Sequence, residues 1–398
     1  MPIPTPLHSR TSELCRSLRF KDWSGYYAVC AYDVYAEREY FALRHAAGLI
    51  DVSPLYKYDV LGPDAEAFVS RLAVRDAARL KVNQVAYCCW CDDAGKVVDD
   101  GTVARFAADR FRLTTNQPFV SWLSRHRRGY DVTVRDVSDK LATLALQGPS
   151  AREILKQVTD VDVDSMRFFW MDQGALDGAE VVISRTGYTG DLGFEIWADS
   201  PDALRVWDAV MDAGRRYGLA PAGLDAMDIT RIEAGFILAG VDYYHAPLCL
   251  IEKRKSTPYE LGLGWMVKLD RAPFVGQAAL CDEAERGPAR VLVGLELDWD
   301  EYAALFAAHR LPPELCAAAW RTPVPVYASR GRQVGYATSG AWSATLKKNL
   351  ALATVRSEYA ALGTTLRFEV TVEYERKTVQ ATVVSKPFFD PERKKALA

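Results

Sequence analysis

The stretch AEVVISRTGYTGDLGFEIW, residues 179–197, places two apolar runs on either side of a turn that is rich in glycine. In the first run Val181 and Ile183 alternate with their neighbours, and in the second Phe194 and Ile196 do the same. This period of two is typical of half-buried strands that pair through a turn. We therefore predict a β-hairpin here and take it as the starting point for the rest of the chain.

The turn of this hairpin contains Gly187, Gly190 and Gly193. We expect these glycines to adopt positive φ angles and to let a ligand approach the backbone closely. Tyr188 and Glu195 are then the side chains that can contact it. A carboxylate can accept two parallel N–H bonds from an aminopyrimidinone edge such as that of a pterin, and a tyrosine can stack beside it. A purely structural hairpin, with glycine serving only the turn, is the alternative.

Three segments of the chain resemble motifs of one family. SRTGYTGDLGFEI (184–196) resembles S-R-x-G-Y-T-G-E-x-G-F/V-E of the glycine-cleavage T-protein family, the tetrahydrofolate-dependent aminomethyltransferases and their demethylase relatives. AAGLIDVSPLY (46–56) resembles A-G-L-F-D-V-S-H-M-G, and GLDAMDITRIEAG (223–235) resembles G-L-x-A-R-D-x-L-R-L-E-A-G. The resemblance extends from about Phe20 to Phe389 and covers nearly the whole chain.

The resemblance implies an α+β fold with three domains arranged as a cloverleaf around a central folate channel. Residues 1–55 together with 138–284 would form a discontinuous folate-binding domain. Residues 56–137 would form a ferredoxin-like α+β domain, and residues 285–398 a C-terminal β-barrel. A length of 398 residues is sufficient for three domains with separate cores.

Composition excludes several classes of function. A net charge of −3 and a pI near 6.0 give no basic footprint for nucleic acid. No apolar run approaches the ~20 residues of a membrane span, and the N-terminus lacks a signal-peptide pattern, so we expect a cytoplasmic protein without membrane contact. The five histidines are scattered, and the cluster CCWC (88–91) has no second ligand pair, so no metal site is predicted.

A second hairpin, DDAGKVVDDGTV (92–103), carries two adjacent carboxylates, Asp99 and Asp100. Successive strand residues face opposite ways, so we expect only one of the two in a given site. By the resemblance Asp100 is the catalytic aspartate beside N5 and N10 of tetrahydrofolate, where a hydrogen-bond acceptor orients the ring and favours cationic charge.

The resemblance assigns the remaining folate contacts as well. Leu55 would supply apolar contact, Tyr87 and Tyr188 would pack against the faces of the pterin, Asn116 would hold the ring, and Glu195 would anchor its aminopyrimidinone edge.

Candidate substrate residues lie in an aromatic segment between Trp23 and Tyr35, predicted as a loop before a helix at about 34–47. Such density indicates either packing or a substrate pocket, and Tyr26 and Tyr32 are the candidates for the second role. Met227 is a third candidate, since it replaces an arginine of the family motif.

Further departures from the family concern Pro54, which replaces a common histidine, and an extra helical segment predicted at about 299–319. Together with Met227 they favour a demethylase that moves a methyl group from a small O-, N- or S-methylated substrate to tetrahydrofolate. One alternative is an aminomethyltransferase that works with a lipoyl carrier protein. Another is a non-catalytic folate-binding protein, although loss of Asp100 would be expected in that case. The donor, the oxidation state of the folate product and the oligomeric state stay open.

Overall fold

The computed structural model describes residues 1–329 and 331–397. The helices are α1 His8–Leu14, α2 Glu37–His45, α3 Ala65–Leu72, α4 Val120–His126, α5 Ala151–Leu155, α6 Ala203–Gly214, α7 Leu224–Glu233, α8 Gln277–Arg286 and α9 Trp299–Ala308. The strands are β1 Arg19–Trp23, β2 Tyr26–Ala31, β3 Ala47–Asp51, β4 Tyr56–Leu61, β5 Val85–Cys91, β6 Val97–Ala107, β7 Arg110–Thr115, β8 Thr133–Asp136, β9 Leu141–Gln147, β10 Met171–Leu176, β11 Ala179–Ser184, β12 Gly193–Asp199, β13 Leu219–Pro221, β14 Arg290–Leu297, β15 Val324–Tyr327, β16 Gln333–Ser343, β17 Lys348–Arg356, β18 Thr365–Val372 and β19 Glu375–Val384.

These strands form three large sheets and one small hairpin. The first sheet has the order β10-β11-β12-β9-β3-β13, and the second has the order β5-β6-β7-β4-β8. The last six strands close into a barrel in the order β14-β17-β16-β15-β18-β19. The predicted α+β fold class, with its C-terminal barrel, is confirmed. The domain boundaries given above stay predictions.

The hairpin predicted at residues 179–197 is present as β11 and β12. The two strands pair antiparallel, with Ile183 opposite Ile196 and Ser184 opposite Glu195. Ile183, Ile196 and Phe194 are buried in the core of the first sheet. The alternating pattern therefore reports the buried face correctly.

The expectation for the three turn glycines is wrong at two of them. Only Gly190 has a positive φ, at 76°. A Cβ atom on Gly187 would lie 1.9 Å from Oε1 of Gln147, and one on Gly193 would lie 2.2 Å from the same atom. The Gln147 side chain comes from β9 and donates to the carbonyl of Thr186 at 3.2 Å. Gly187 and Gly193 thus make room for a buried glutamine that fastens the turn.

The N-terminal aromatic segment is a hairpin rather than the predicted loop. Strands β1 and β2 pair antiparallel, with Trp23 opposite Tyr26, because aromatic residues favour pleated surfaces. The helix expected at about 34–47 is shorter, running over Glu37–His45, since β3 already begins at Ala47.

The inserted helix predicted at about 299–319 is also shorter than expected. Helix α9 begins after Asp298, whose side chain accepts from the backbone N–H of Glu301 at 2.8 Å. The helix ends at Ala308, and Pro312 and Pro313 follow in a segment without helix or strand. A proline disfavours helical backbone in the residue before it.

The first sheet, helix α7 and the barrel meet in a shared hydrophobic cluster. Buried residues of this cluster include Ile50, Ile229, Ala341 and Leu350. The partly buried side chains of Trp23, Leu55, Met227, Leu346 and Phe388 pack against them. We call this set the central apolar cluster. Within the described residues, no helix combines the length and the apolar character needed to span a membrane.

Candidate active site

Asp100 of β6 lies at the centre of a network of hydroxyl and amide donors. Its Oδ2 accepts a hydrogen bond from the Tyr87 hydroxyl at 2.7 Å, and its Oδ1 accepts one from the Tyr243 hydroxyl. The amide of Asn116 donates to the Asp100 carbonyl at 2.8 Å and to Oδ1 at 3.2 Å. Asp100 is buried, so these neutral donors replace the water that a carboxylate would otherwise bind.

Asp99 does not point away from this network, which corrects the expectation that only one carboxylate reaches the site. Its Oδ2 accepts from the backbone N–H groups of Asn116 and Gln117 at 2.9 and 3.0 Å. Its Oδ1 lies 3.3 Å from the Tyr243 hydroxyl and 3.4 Å from Nδ1 of His245. The Asp99 side chain turns toward the loop after β7, and both carboxylates therefore contact Tyr243.

We define the acid cluster as Tyr87, Asp99, Asp100, Tyr243 and His245. The pKa values of its two carboxyl groups depend mainly on burial. Burial and the neighbouring Asp99 raise the pKa of Asp100 to about 6, although both tyrosine hydroxyls lower it in part. Burial also raises the pKa of Asp99, against the opposing effect of His245. Among the described residues no lysine or arginine forms an ion pair with either carboxylate. Asp100 can therefore exchange a proton near neutral pH.

Tyr243 and His245 are members of the cluster that sequence reasoning missed. Both belong to the segment VDYYH (241–245), which follows α7 and packs against β6. Nδ1 of His245 lies 2.9 Å from the carbonyl oxygen of Val98, which fixes the ring beside Asp99. The sequence signal that could have indicated these two residues is the run of tyrosine and histidine shortly after α7, the helix that carries the third family motif. Its contact with residues about 145 positions earlier is a property of the fold.

Glu195 and Tyr188 form a second part of the site. Oε2 of Glu195 accepts from the Thr186 hydroxyl at 2.7 Å, while Oε1 accepts no hydrogen bond from the described residues. Burial raises the pKa of Glu195. The Tyr188 hydroxyl donates to the carbonyl of Ile237, and its ring stacks on Phe236 at a centroid distance of 5.7 Å. One carboxylate oxygen and one aromatic ring are thus held in fixed positions.

Lys57 fastens the loop that carries Leu55. Its ammonium donates to the carbonyls of Ser53 and Leu55 at 2.8 and 2.7 Å. Burial lowers the pKa of Lys57 to about 7, while nearby Asp51 and Glu195 act in the opposite direction. Lys57 therefore holds the backbone at Leu55 and places positive charge near Glu195.

The structure brings some of the predicted site residues together and separates others. Tyr87 and Asn116 each donate a hydrogen bond to Asp100. The charge of Asp100 also contributes to a raised pKa of Tyr188, after the larger effect of burial. Leu55 and Met227 share the central apolar cluster. Their roles toward a ligand stay predictions.

The two candidate tyrosines of the N-terminal hairpin form no hydrogen bond with this network among the described residues. Tyr26 begins β2, and burial raises its pKa, with smaller effects from Asp139 and Asp136. Tyr32 is buried in a small cluster with Cys15 and Val29. Neither hydroxyl contacts the acid cluster, and both assignments as substrate residues stay predictions.

A buried ion network begins on α7, at Asp228 and Arg231. Arg231 pairs with Asp228 at 2.7 Å and with Asp242 at 2.5 Å. Asp228 also pairs with Arg321 at 2.7 Å, and Asp242 accepts from the hydroxyl of Ser339 at 2.8 Å. The network therefore ties α7 to the barrel and to the segment that precedes β15.

The fold described above is that of a family of one-carbon group transferases. Residues 15–271 match the family model described as the GCVT N-terminal domain. Residues 290–390 match the one described as the glycine cleavage T-protein C-terminal barrel domain. The chain belongs to the glycine cleavage T-protein family, and the resemblance noted in the sequence is confirmed.

Individual relatives support this assignment. The chain is 37% identical to an aminomethyltransferase of Caldanaerobacter subterraneus subsp. tengcongensis over 362 residues, covering 90% of this chain and 88% of that protein. It is 35% identical to an aminomethyltransferase of Herpetosiphon aurantiacus over 399 residues, covering 98% and 99%. The crystal structure of glycine cleavage system aminomethyltransferase T from Bartonella henselae superposes with a TM-score of 0.83 at 25% identity, covering 98% of this chain and 99% of that one.

Proposed function

We propose that this protein transfers a one-carbon unit from an aminomethyl donor to tetrahydrofolate. The observation that carries the proposal is Asp100, a buried carboxylate that is held by three side-chain donors and forms no ion pair with a lysine or arginine of the described residues. Relatives named aminomethyltransferase, 35–37% identical over most of the chain, support the donor class. The partner in this reaction would be a protein that carries the aminomethyl group on a lipoyl arm.

The donor set of the site fits a reduced folate. Oε1 of Glu195 has an acceptor site that is not used by the described residues, which suits the paired N–H donors of an aminopyrimidinone edge. The ring of Tyr188 is fixed by its stacking on Phe236 and by its hydrogen bond to Ile237, which suits a flat heterocycle. When bound, tetrahydrofolate supplies the nitrogens that accept the one-carbon unit.

Asp100 orients these nitrogens and stabilises positive charge beside them. Because the pKa of Asp100 is about 6, the carboxylate is mostly ionised at neutral pH and can accept an N–H hydrogen bond. Tyr87 and Tyr243 keep the carboxylate in one orientation, so little reorganisation is needed when charge develops. Positioning of this kind contributes several kcal/mol to a transfer reaction, on the order of 3 or more.

Methyl transfer from a small methylated compound is the second candidate, and two observations favour it. Met227 packs in the central apolar cluster with Leu55, so an uncharged side chain occupies the position of a family arginine. The Tyr243 hydroxyl contacts Asp100, where a phenol could protonate an alkoxide or phenolate that leaves from a methyl ether. An onium donor would need no such proton.

A single-turnover experiment with mass spectrometry of the folate product distinguishes aminomethyl transfer from methyl transfer. Tetrahydrofolate is offered with an aminomethyl-lipoyl carrier in one series and with methyl ethers, methylated amines and methylsulfonium compounds in another. Methylene-tetrahydrofolate from the carrier alone supports aminomethyl transfer. 5-Methyl-tetrahydrofolate from a methylated donor identifies a demethylase.

Binding of folate without any turnover would contradict both proposals and would favour a binding protein.

The variant Asp100→Asn is compared in the same assay with a matched control, Asp93→Asn. Asp93 is suitable because it is exposed at the turn that precedes β6.

A further inference from the structure

The turn between β11 and β12 is bounded by two charged residues, Arg185 and Asp191. They lie before and after Tyr188 in the sequence, and both side chains are completely buried. A buried charge is costly unless it is paired or hydrogen-bonded. The groups that Arg185 and Asp191 bind therefore indicate what these two residues do.

Arg185 binds the backbone of residues 393–396, which lie far from it in the sequence. Its Nη1 donates to the carbonyl of Met166 at 2.9 Å. Its Nη2 donates to the carbonyls of Lys394 and Ala396 at 3.0 and 2.6 Å. Because the acceptors are carbonyl groups, this contact does not depend on the side chains of residues 393–396.

Asp191 binds the same residues through a side chain. Its Oδ1 and Oδ2 accept hydrogen bonds from Nε and Nη2 of Arg393 at 2.7 and 2.8 Å, in the parallel geometry that a guanidinium forms with a carboxylate. A second guanidinium, that of Arg44, lies 3.7 Å from Oδ2. The turn is thus fastened to residues 393–396 at both of its ends.

The segment that receives these contacts is itself fixed to α7, and we call residues 388–396 the clamp segment. The backbone N–H groups of Phe388 and Phe389 both donate to the carbonyl of Glu233, at 2.9 Å each. The guanidinium of Arg44 lies over the Phe389 ring, 4.3 Å from its centroid, and donates to the Glu233 carboxylate at 2.7 Å. The clamp segment is therefore held in one position at the end of α7.

The clamp segment and the end of α7 also contact the surroundings of the Tyr188 ring. Tyr188 stacks on Phe236, and the ammonium of Lys394 lies over the Phe236 ring, 5.4 Å from its centroid. A Cβ atom on Gly190 would lie 2.5 Å from Cβ of Ala234, so the turn is in direct contact with the residue that follows α7. The turn therefore packs against both the end of α7 and the clamp segment.

We propose that Arg185 and Asp191 position the Tyr188 ring for folate by binding the clamp segment. This inference rests on the proposed function, in which Tyr188 packs against the pterin. A ligand binds less tightly when a mobile group must first be ordered, so a turn that is fixed in advance raises the affinity. Arg185 and Asp191 are positioning residues, because they act through Tyr188 and their own polar groups are engaged by the clamp segment.

A substitution of Arg393 breaks the clamp at an accessible contact. The Arg393 side chain is 40% exposed, so Arg393→Met removes the pair with Asp191 without the cavity that a change at Arg185 would leave. Lys395→Met is the matched control, because Lys395 belongs to the same segment, carries the same charge and pairs with Asp390 at 3.2 Å at the surface. Circular dichroism and thermal unfolding confirm that each variant is folded.

Hydrogen exchange in the absence of folate measures the order of the turn. The reporter is the peptide of residues 185–192, in which the N–H of Leu192 donates to Oδ1 of Asp191 at 2.7 Å. We expect this peptide to exchange at least about tenfold faster in Arg393→Met, and at the wild-type rate in Lys395→Met. Unchanged exchange in Arg393→Met would overturn the proposal. An equal increase in β18 and β19 of the barrel would also overturn it, since the effect would then be global.

The affinity for tetrahydrofolate measures the consequence for the site. Quenching of tryptophan fluorescence should give a Kd about five- to tenfold higher in Arg393→Met and an unchanged Kd in Lys395→Met. Arg393→Lys keeps the charge but cannot form both parallel bonds, so its Kd should lie between those of the wild type and Arg393→Met.

These two experiments separate the positioning role from the proposed function. If the wild type does not bind tetrahydrofolate, the proposed function fails and the positioning role fails with it. If the wild type binds tetrahydrofolate and Arg393→Met binds it equally well, only the positioning role is overturned.

Discussion

The segment from α7 to His245 takes part in two pairs of buried carboxylates, and the two pairs differ in the groups that neutralise them. The first pair, Asp228 and Asp242, belongs to the segment, and the second, Asp99 and Asp100, contacts it through Tyr243. Asp228 and Asp242 pair with the guanidinium of Arg231 at 2.7 and 2.5 Å. Asp99 and Asp100 instead contact tyrosine hydroxyls, amide N–H groups and one histidine. Both pairs are buried to a similar extent, so the partners and not the burial distinguish them.

The protonation behaviour of the two pairs follows from these partners. Burial would raise the pKa of Asp228, but the charges of Arg231 and Arg321 outweigh it and lower the pKa below its usual value. At Asp100 burial acts with the charge of Asp99, and the pKa rises to about 6. A carboxylate that is paired with a guanidinium stays ionised and holds the structure together. A carboxylate without such a partner can exchange a proton at working pH, which is what catalysis requires.

The largest expected effect is on stability, when the cation of the paired cluster is removed. Arg231→Met should lower the free energy of unfolding by about 3–5 kcal/mol, because it removes the cation that pairs with two buried carboxylates, Asp228 and Asp242. Urea unfolding measures this loss. Arg332→Met is the control, since Arg332 pairs with Glu358 at the surface and should cost at most about 1 kcal/mol. If the two substitutions lower the free energy of unfolding equally, the proposed structural role of the Arg231 network is wrong.

A smaller effect is expected at Glu195, where a carboxylate is proposed to bind a ligand rather than a protein cation. Glu195→Gln keeps an acceptor for Thr186 but cannot accept two N–H bonds, so affinity for tetrahydrofolate should fall by about tenfold or more. Quenching of tryptophan fluorescence by the folate measures the Kd. Glu180→Gln, an exposed residue of β11 in the same hairpin, should bind as the wild type does. Unchanged affinity in Glu195→Gln would exclude the anchoring role.

The smallest effect is a dependence of stability on pH. The pKa of Asp100 in the folded protein, about 6, lies above its usual value of 3.8, so folding favours the protonated form. The folded state then loses stability as pH rises from about 4 through 6, because the buried carboxyl must ionise. Asp100→Asn never ionises, and it should therefore gain stability relative to the wild type between pH 5 and pH 7.

Urea unfolding of the wild type and of Asp100→Asn at four pH values between 5 and 8 tests this directly. The difference should grow up to about pH 7 and then stay constant. A difference that does not change with pH would mean that the pKa of Asp100 in the folded protein is ordinary.

The sequence predicted correctly those features that depend on a local pattern of residues. The alternation in residues 179–197 gave the β11–β12 hairpin, and the hairpin turn near Gly95 placed Asp99 and Asp100 on β6. The family motifs added the barrel and the three-part architecture. Each of these follows from residues that lie close together in the chain.

The features that it missed depend on contacts between distant residues. Gln147 explains Gly187 and Gly193, but it lies 40 or more positions before them. Tyr243 and His245 complete the acid cluster from a segment about 145 positions after Asp99. The aromatic residues around Trp23 lie in strands β1 and β2, which pair to form a hairpin. The density of aromatic residues in the sequence does not distinguish such a hairpin from a loop.

The most direct test of the central claim is the rate of one-carbon transfer to tetrahydrofolate in a single turnover by Asp100→Asn. The donor is the one that the product screen identifies, and folate is present at saturating concentration. We expect a rate at least about 100-fold below that of the wild type, with folate still bound and the protein at least as stable at pH 7. A variant that transfers at the wild-type rate would contradict a catalytic role of Asp100 and would move the chemistry away from the acid cluster.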